Sequence, residues 1–261
     1  MTNHNQEFYI PKSVLVIVAH ADDIEFYAGT IIRWTDAGTE VTYCIVTDGS
    51  AGSNSVDYHR ETLVETRRRE QIAAAEAAGV TDVRFLNYKD GTLEPTLELR
   101  RDLTRLIREL RPEVVVIPDP NTYYFSDNTY VNHPDHRAVG EAALYAAFPS
   151  AGSRPIFMDL LDEGYEPHDV TKVYLMISEH PNVSVDITDV FERKLDTLRC
   201  FPSQFGEDLI DMIRKGDSAE GQESGWQYGE SFRVLTLRQI DEPASSIDRP
   251  IDTTVDTVDA Q

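Results

Sequence analysis

Alternating strand-like and helical patterns predict an α/β fold for this 261-residue chain: a doubly wound, mostly parallel sheet flanked by helices, Rossmann-like, in a single domain. Three observations carry that expectation. Residues 14–19 (VLVIVA) and 114–117 (VVVI) are continuously apolar, as strands covered on both faces require. Helical patterns separate strand-like segments in a β-α-β-α-β-α-β-α order, which implies parallel pairing through helical crossovers. Glycine or proline punctuates the helix ends, at Gly38, Gly79 and Pro112.

Taken in order, residues 14–19 form the first strand and 24–37 a helix that stops at Gly38. Residues 41–46 read as a second strand, followed by a loop of small turn-forming residues, TDGSAGSNS at 47–55. A helix is expected over 61–78, with Gly79 as a left-handed cap, then a short strand at 83–86. Leu97–Leu110 carries Leu99, Leu103, Leu106, Ile107 and Leu110 on one stripe and ends at Arg111-Pro112. The strand at 114–117 leads into a loop, 118–132, that holds Tyr123, Tyr124, Phe125 and Tyr130. A fourth helix starts near Pro134, a good first-turn residue, and runs towards Phe148. Beyond Lys172 the pattern is mixed, with strands at 173–177, 183–187 and 232–237 and a helix at 190–199.

The chain carries 46 acidic against 24 basic side chains, a net charge of −22, with 41% hydrophobic residues. This is the composition of a globule large enough to bury a core. The acidity argues against nucleic acid or anionic membrane as a partner, because a phosphate-binding surface needs clustered Lys and Arg. Residues 241–261 hold six acids, one arginine and no aromatic residue, so a disordered tail is expected beside a domain over 1–240. Two cysteines, Cys44 and Cys200, make no disulfide framework and fit a reducing compartment. No apolar run approaches the roughly 20 residues of a membrane span, and the first residues show no signal-peptide pattern. A cytoplasmic protein is expected.

In open parallel sheets, ligands sit beyond the carboxyl ends of the strands. Beyond the first strand lies His20-Ala21-Asp22-Asp23-Ile24-Glu25, and beyond the fourth, after the long loop, His133-Pro134-Asp135-His136. Each has a plain structural account, an aspartate capping a helix in one case and a helix start in the other. Brought together at a switch point, they hold more ligating groups than helix ends need. Imidazole plus carboxylate without thiolate is the donor set of a catalytic Zn²⁺ site, with three protein ligands and an open position. His20, Asp23 and His136 can form such a set, leaving Asp22, His133 and Asp135 over. The same donors accept Fe²⁺, Co²⁺ or Mn²⁺.

AHADDIE followed by HPDH strongly resembles the LmbE-like or PIG-L family of zinc-dependent N-deacetylases, over roughly residues 13–207. The resemblance extends to Thr47-Asp48-Gly49, to Arg67-x-x-Glu70 ahead of an Ala-rich helix ending Ala78-Gly79-Val80, and to Ser203-Gln204-Phe205. It implies that His20, Asp23 and His136 are the metal ligands and Asp22 the general base. It further implies that His133 stabilises the oxyanion with Asp135 as its orienting partner, and that Arg67 positions substrate. Two positions depart from the pattern: Ala21 where the family usually has Pro, and Phe201 where many members carry His.

The chemistry agrees with that division. An acetamide is a poor electrophile with a poor leaving group, and zinc lowers the pKa of its water from 15.7 to about 7. A neighbouring carboxylate that is not itself a ligand can then collect the proton, and a protonated His133 held by Asp135 would serve the oxyanion. The expected substrate is an N-acetylated amino sugar or glycoside, and association into a homo-oligomer is open. The aromatic loop would stack on a sugar face, close over the metal, or simply pack. Of Arg67-Arg68-Arg69, one is expected to face inward. His4, His59, His168 and His180 show no partner pattern. Two rivals compete: a hydratase or lyase of the same family, and a metal-dependent binding protein without turnover. A dinucleotide-binding oxidoreductase fails because no G-x-G-x-x-G follows the first strand.

Overall fold

The computed structural model describes residues 8–57 and 59–237, so the expected tail at 241–261 lies outside the described residues. Its strands are β1 (Ser13–Val18), β2 (Glu40–Thr47), β3 (Asp82–Tyr88), β4 (Val114–Pro118), β5 (Lys172–Met176), β6 (Val183–Asp186) and β7 (Gly229–Thr236). They form one sheet in the order β3-β2-β1-β4-β5-β7-β6. The first five in that order run parallel, while β7 pairs antiparallel with both β5 and β6. The helices are α1 (Ala28–Asp36), α2 (Arg60–Ala77), α3 (Leu97–Leu110), α4 (Pro134–Tyr145), the single turn α5 (Asp159–Asp162), α6 (Phe191–Arg199) and α7 (Glu207–Glu223).

The continuous apolar runs do what their pattern requires. Val14, Val16 and Val18 of β1 face a core layer with Ile31, Trp34, Tyr43, Phe191 and Leu195. Leu15 and Ile17 face the opposite layer, with Leu99, Leu103, Val139 and Ala143. Helix ends follow local chemistry. Gly79 adopts φ +80° after α2, Thr96 Oγ1 accepts from the Leu99 amide at the start of α3, and Arg111 turns left-handed ahead of Pro112.

Three departures from the sequence pattern occur. The expected helix at 24–37 begins as a separate 3₁₀ turn, Asp23–Tyr27, before α1. The helix from Pro134 gives way after Tyr145 to a wide turn, Ala146–Ser150, which contains Pro149 and its missing N–H. Helices α5 and α7 have no counterpart in the sequence pattern. Among the described residues no helix is long and apolar enough to cross a membrane. From β1 the chain winds outward to β3, then returns to place β4 on the other side of β1, so β1 and β4 flank the switch point.

Candidate metal centre

The turn after β1 and the start of α4 meet at that switch point. His20, Asp23 and His136 each offer a ligand atom, and these atoms lie within 4.8 Å of one another. His136 Nε2 is 3.1 Å from Asp23 Oδ1, and His20 Nδ1 is 3.5 Å from Asp23 Oδ2. The outer nitrogens are already engaged: His136 Nδ1 is paired with Asn132 Oδ1 at 3.0 Å. His20 Nε2 lies 3.1 Å from Asp90 Oδ1 and 3.3 Å from Asp135 Oδ2. Each imidazole is thus held through one nitrogen while the other faces Asp23, the arrangement in which outer partners orient ligating histidines.

Asp22 occupies φ 99°, a left-handed conformation that costs a non-glycine residue about 1–3 kcal/mol. That twist separates two successive carboxylates. Asp23 turns to the histidines, whereas Asp22 Oδ2 accepts from Arg67 Nη2 at 3.0 Å. Arg67, the inward member of its triplet, also donates to the carbonyls of Ala21 at 2.6 Å and Gly49 at 3.3 Å. It is buried and committed to this turn. The Asp22 amide donates to Gln71 Oε1, and Gln71 Nε2 donates to Glu25 Oε1. Motif residues further along the chain close the same turn, since Glu70 accepts from both the amide and the hydroxyl of Ser203. The two departures from the family pattern are neighbours: Ala21 and Phe201 pack with Ala74 in one small buried cluster.

The electrostatics separate the two aspartates. Burial raises Asp22 to about 7, against the opposing pull of the Arg67 guanidinium. Burial also works against charge on Asp23, but His136 and His20 outweigh it and hold that carboxyl well below the usual range. Burial opposes charge on Asp90 too, yet His20 and the Ala51 amide keep its pKa at about 2. For His20, burial is overcome by Asp23, Asp135 and Asp90, which raise its pKa well above the ordinary value. The carboxylates around this buried imidazole therefore create a field that favours positive charge. A divalent cation answers that field, and the N,N,O donor set suits one.

His133 is the N-cap of α4: its Nδ1 accepts from the Asp135 amide at 3.2 Å. Burial and the neighbouring His20 lower its pKa. The Asp135 carboxylate accepts from the amides of Gly91 at 2.7 Å and Leu93 at 3.1 Å and contacts His20, and one of its oxygens lies within 4.8 Å of a His133 ring nitrogen. The contact expected between Asp135 and His133 is made by the Asp135 amide. With Nδ1 accepting from the helix N-terminus, Nε2 is the ring nitrogen left to carry a proton. Sequence reasoning missed Asp90 and Asn132. Asp90 follows a strand end, the right address, but reads as a turn residue in Lys89-Asp90-Gly91.

A family model described as GlcNAc-PI de-N-acetylase, PIG-L, matches residues 15–147. The chain belongs to the PIG-L family. Members are metal-dependent deacetylases. A diacetylchitobiose deacetylase of Thermococcus kodakarensis is 34% identical over 88% of this chain and 86% of its own length. A probable N-acetyl-α-D-glucosaminyl L-malate deacetylase of Bacillus anthracis is 28% identical, over 87% of this chain and 96% of its own. Among solved structures, N,N′-diacetylchitobiose deacetylase from Pyrococcus horikoshii superposes with a TM-score of 0.80 at 34% identity, over 87% of this PIG-L chain and 84% of that one.

Proposed function

We propose that the protein hydrolyses the N-acetyl amide of an N-acetylglucosamine-type sugar or glycoside, releasing acetate and the free amine. The observation that carries this reading is the Asp22–Asp23 turn, in which adjacent carboxylates are sent to different tasks. Its PIG-L relatives, deacetylases of acetylated amino sugars by name, supply the substrate class. His20, Asp23 and His136 would hold the cation, zinc in our reading, with Fe²⁺, Co²⁺ or Mn²⁺ compatible with the same donors. When bound, such an ion lowers the pKa of a water and polarises an amide carbonyl.

The chain's own groups then divide the work. Asp22, fixed by Arg67, takes a proton from the attacking water; a base with a pKa near neutrality is well matched to that task. His133 donates from Nε2 to the oxygen on which charge collects. Asp22 returns its proton to the nitrogen as the carbon–nitrogen bond breaks, so the amine leaves neutral. Asp135 and Asp90 position His20, and Arg67 positions Asp22 rather than the sugar. A cytoplasmic protein remains our reading, in line with two unpaired cysteines. Intact Asp22 and Asp23 favour hydrolysis over hydratase or lyase chemistry, and the retained Asp22 and His133 favour turnover over binding alone.

Metal content and amine release from methyl N-acetylglucosaminide test this directly. Asp22→Ala is expected to retain about one metal per chain and lose turnover by 10²–10⁴-fold, whereas His136→Ala loses both. Undiminished turnover in Asp22→Ala would remove the assigned base.

A further inference from the structure

A cavity of about 580 Å³ opens beside the centre, with Asp23 and His136 on one wall. That is far more room than an acetyl methyl needs and lies within the usual range for small-molecule sites. Most of its remaining wall is apolar: Phe26 and Tyr27 from the turn after β1, Phe125 and Tyr130 from the loop after β4, and Leu209, Met212 and Ile213 from α7, with carboxylates along one edge. On α7 the lining residues Leu209, Met212, Ile213 and Gly216 fall at i, i+3, i+4 and i+7, a single helical stripe turned to the cavity.

Gly216 adds an independent observation. A glycine inside a helix is destabilising unless something approaches too closely for a side chain. Gly221 of the same helix has that reason, because a Cβ there would meet the Tyr228 backbone at 2.7 Å. At Gly216 a Cβ would meet nothing within 4 Å, and its φ is not left-handed. Its missing side chain keeps space open on the cavity side.

The polar groups along this wall are mostly committed. Lys194 of α6, fully buried, donates to Asp217 at 2.6 Å and to the Phe26 carbonyl at 2.7 Å, and pairs with Glu230 at 2.9 Å. Glu230 also accepts from the amides of Gly29 and Thr30. The Tyr27 hydroxyl accepts from the Ile177 amide. A second sugar would bring hydroxyls here with few free partners, a costly desolvation. An anionic group would face Asp217, Glu220 and Glu230.

Resting on the deacetylase reading above, we propose that this chamber receives a neutral apolar aglycone, an alkyl or aryl group on the anomeric oxygen of the amino sugar. The protein would then select amphiphilic glycosides over disaccharides.

The test uses methyl, butyl and octyl N-acetylglucosaminides below their micelle thresholds. Calorimetric binding to metal-free protein is measured beside kcat/KM of the metal-loaded enzyme. Affinity is expected to rise with chain length, by up to about fourfold per methylene until the chamber fills. Gly216→Leu, which fills the chamber, should bring the octyl-to-methyl ratio towards one, and Met212→Asp should do the same from another wall. Turnover of the methyl glycoside with no chain-length gain, in either measurement, overturns the chamber and leaves the deacetylase standing. A calorimetric gain sensitive to Gly216→Leu without turnover of any glycoside keeps the chamber and sinks the deacetylase. Diacetylchitobiose outperforming the octyl glycoside, or a gain only when the chain is on the N-acyl group, overturns the aglycone assignment.

Discussion

On the β1–β4 side of the centre the groups around the histidines are polar and tightly paired. Asp22 is locked to Arg67, His20 to Asp90 and Asp135, and His136 to Asn132. On the β7–α7 side the walls are mostly apolar and open, and Lys194 draws Asp217 and Glu230 into a buried hub. The first region is built from the ends of parallel strands, where side chains converge by topology. The second is built by antiparallel β7 and the helix before it, which share a core with α6 while Lys194 ties α7, β7 and the Phe26 carbonyl together. Reactivity and selection are thus carried by different parts of the sheet and can be disturbed separately.

The largest effect on folding should come from Lys194→Met. It leaves Asp217 and Glu230 buried without their cation, a change expected to cost about 3–5 kcal/mol. Denaturant unfolding reads that loss directly. An unchanged midpoint would show that the two regions are held together by something else. Next comes His133→Ala on the reactive side, expected to lower kcat by about 10²–10³-fold, or 2.7–4 kcal/mol, with metal content little changed and stability lowered by only the about 0.5–2 kcal/mol of a lost helix cap. Asn132→Ala is the mildest. Freed of its outer partner, His136 should hold metal about 10–100-fold more weakly, seen in a competition titration with a chelator while the octyl-to-methyl ratio stays constant.

The same division explains what was legible in the sequence. Residues 14–19 and 114–117 announce strands buried on both faces because their apolar runs have no polar interruption, and the switch point follows from their order. His20, Asp23, His133 and His136 stand out because helix ends do not need so many ligating groups. Helix α7 did not, since its apolar residues crowd into the first two turns, Leu209 to Ile213, and then Gly216 and Gly221 break the pattern. Its partner β7 was visible as a strand, but periodicity carries no information on direction or neighbour. Asp90 and Asn132 are single polar residues in loops, and only the fold reveals that each reaches a histidine. Asp135 was legible through the family resemblance, as a partner of His133; only the fold shows that its carboxylate also reaches His20.

The left-handed turn at Asp22 has a consequence for durability. A glycine there would relax the backbone, but it would leave the buried Arg67 guanidinium without its carboxylate, a loss that outweighs the strain relieved. The strained turn and the ion pair therefore hold each other in place, and relaxing one gives up the other. Thermal improvement of this protein has to be sought away from residue 22, on surfaces that neither the histidines nor the chamber use.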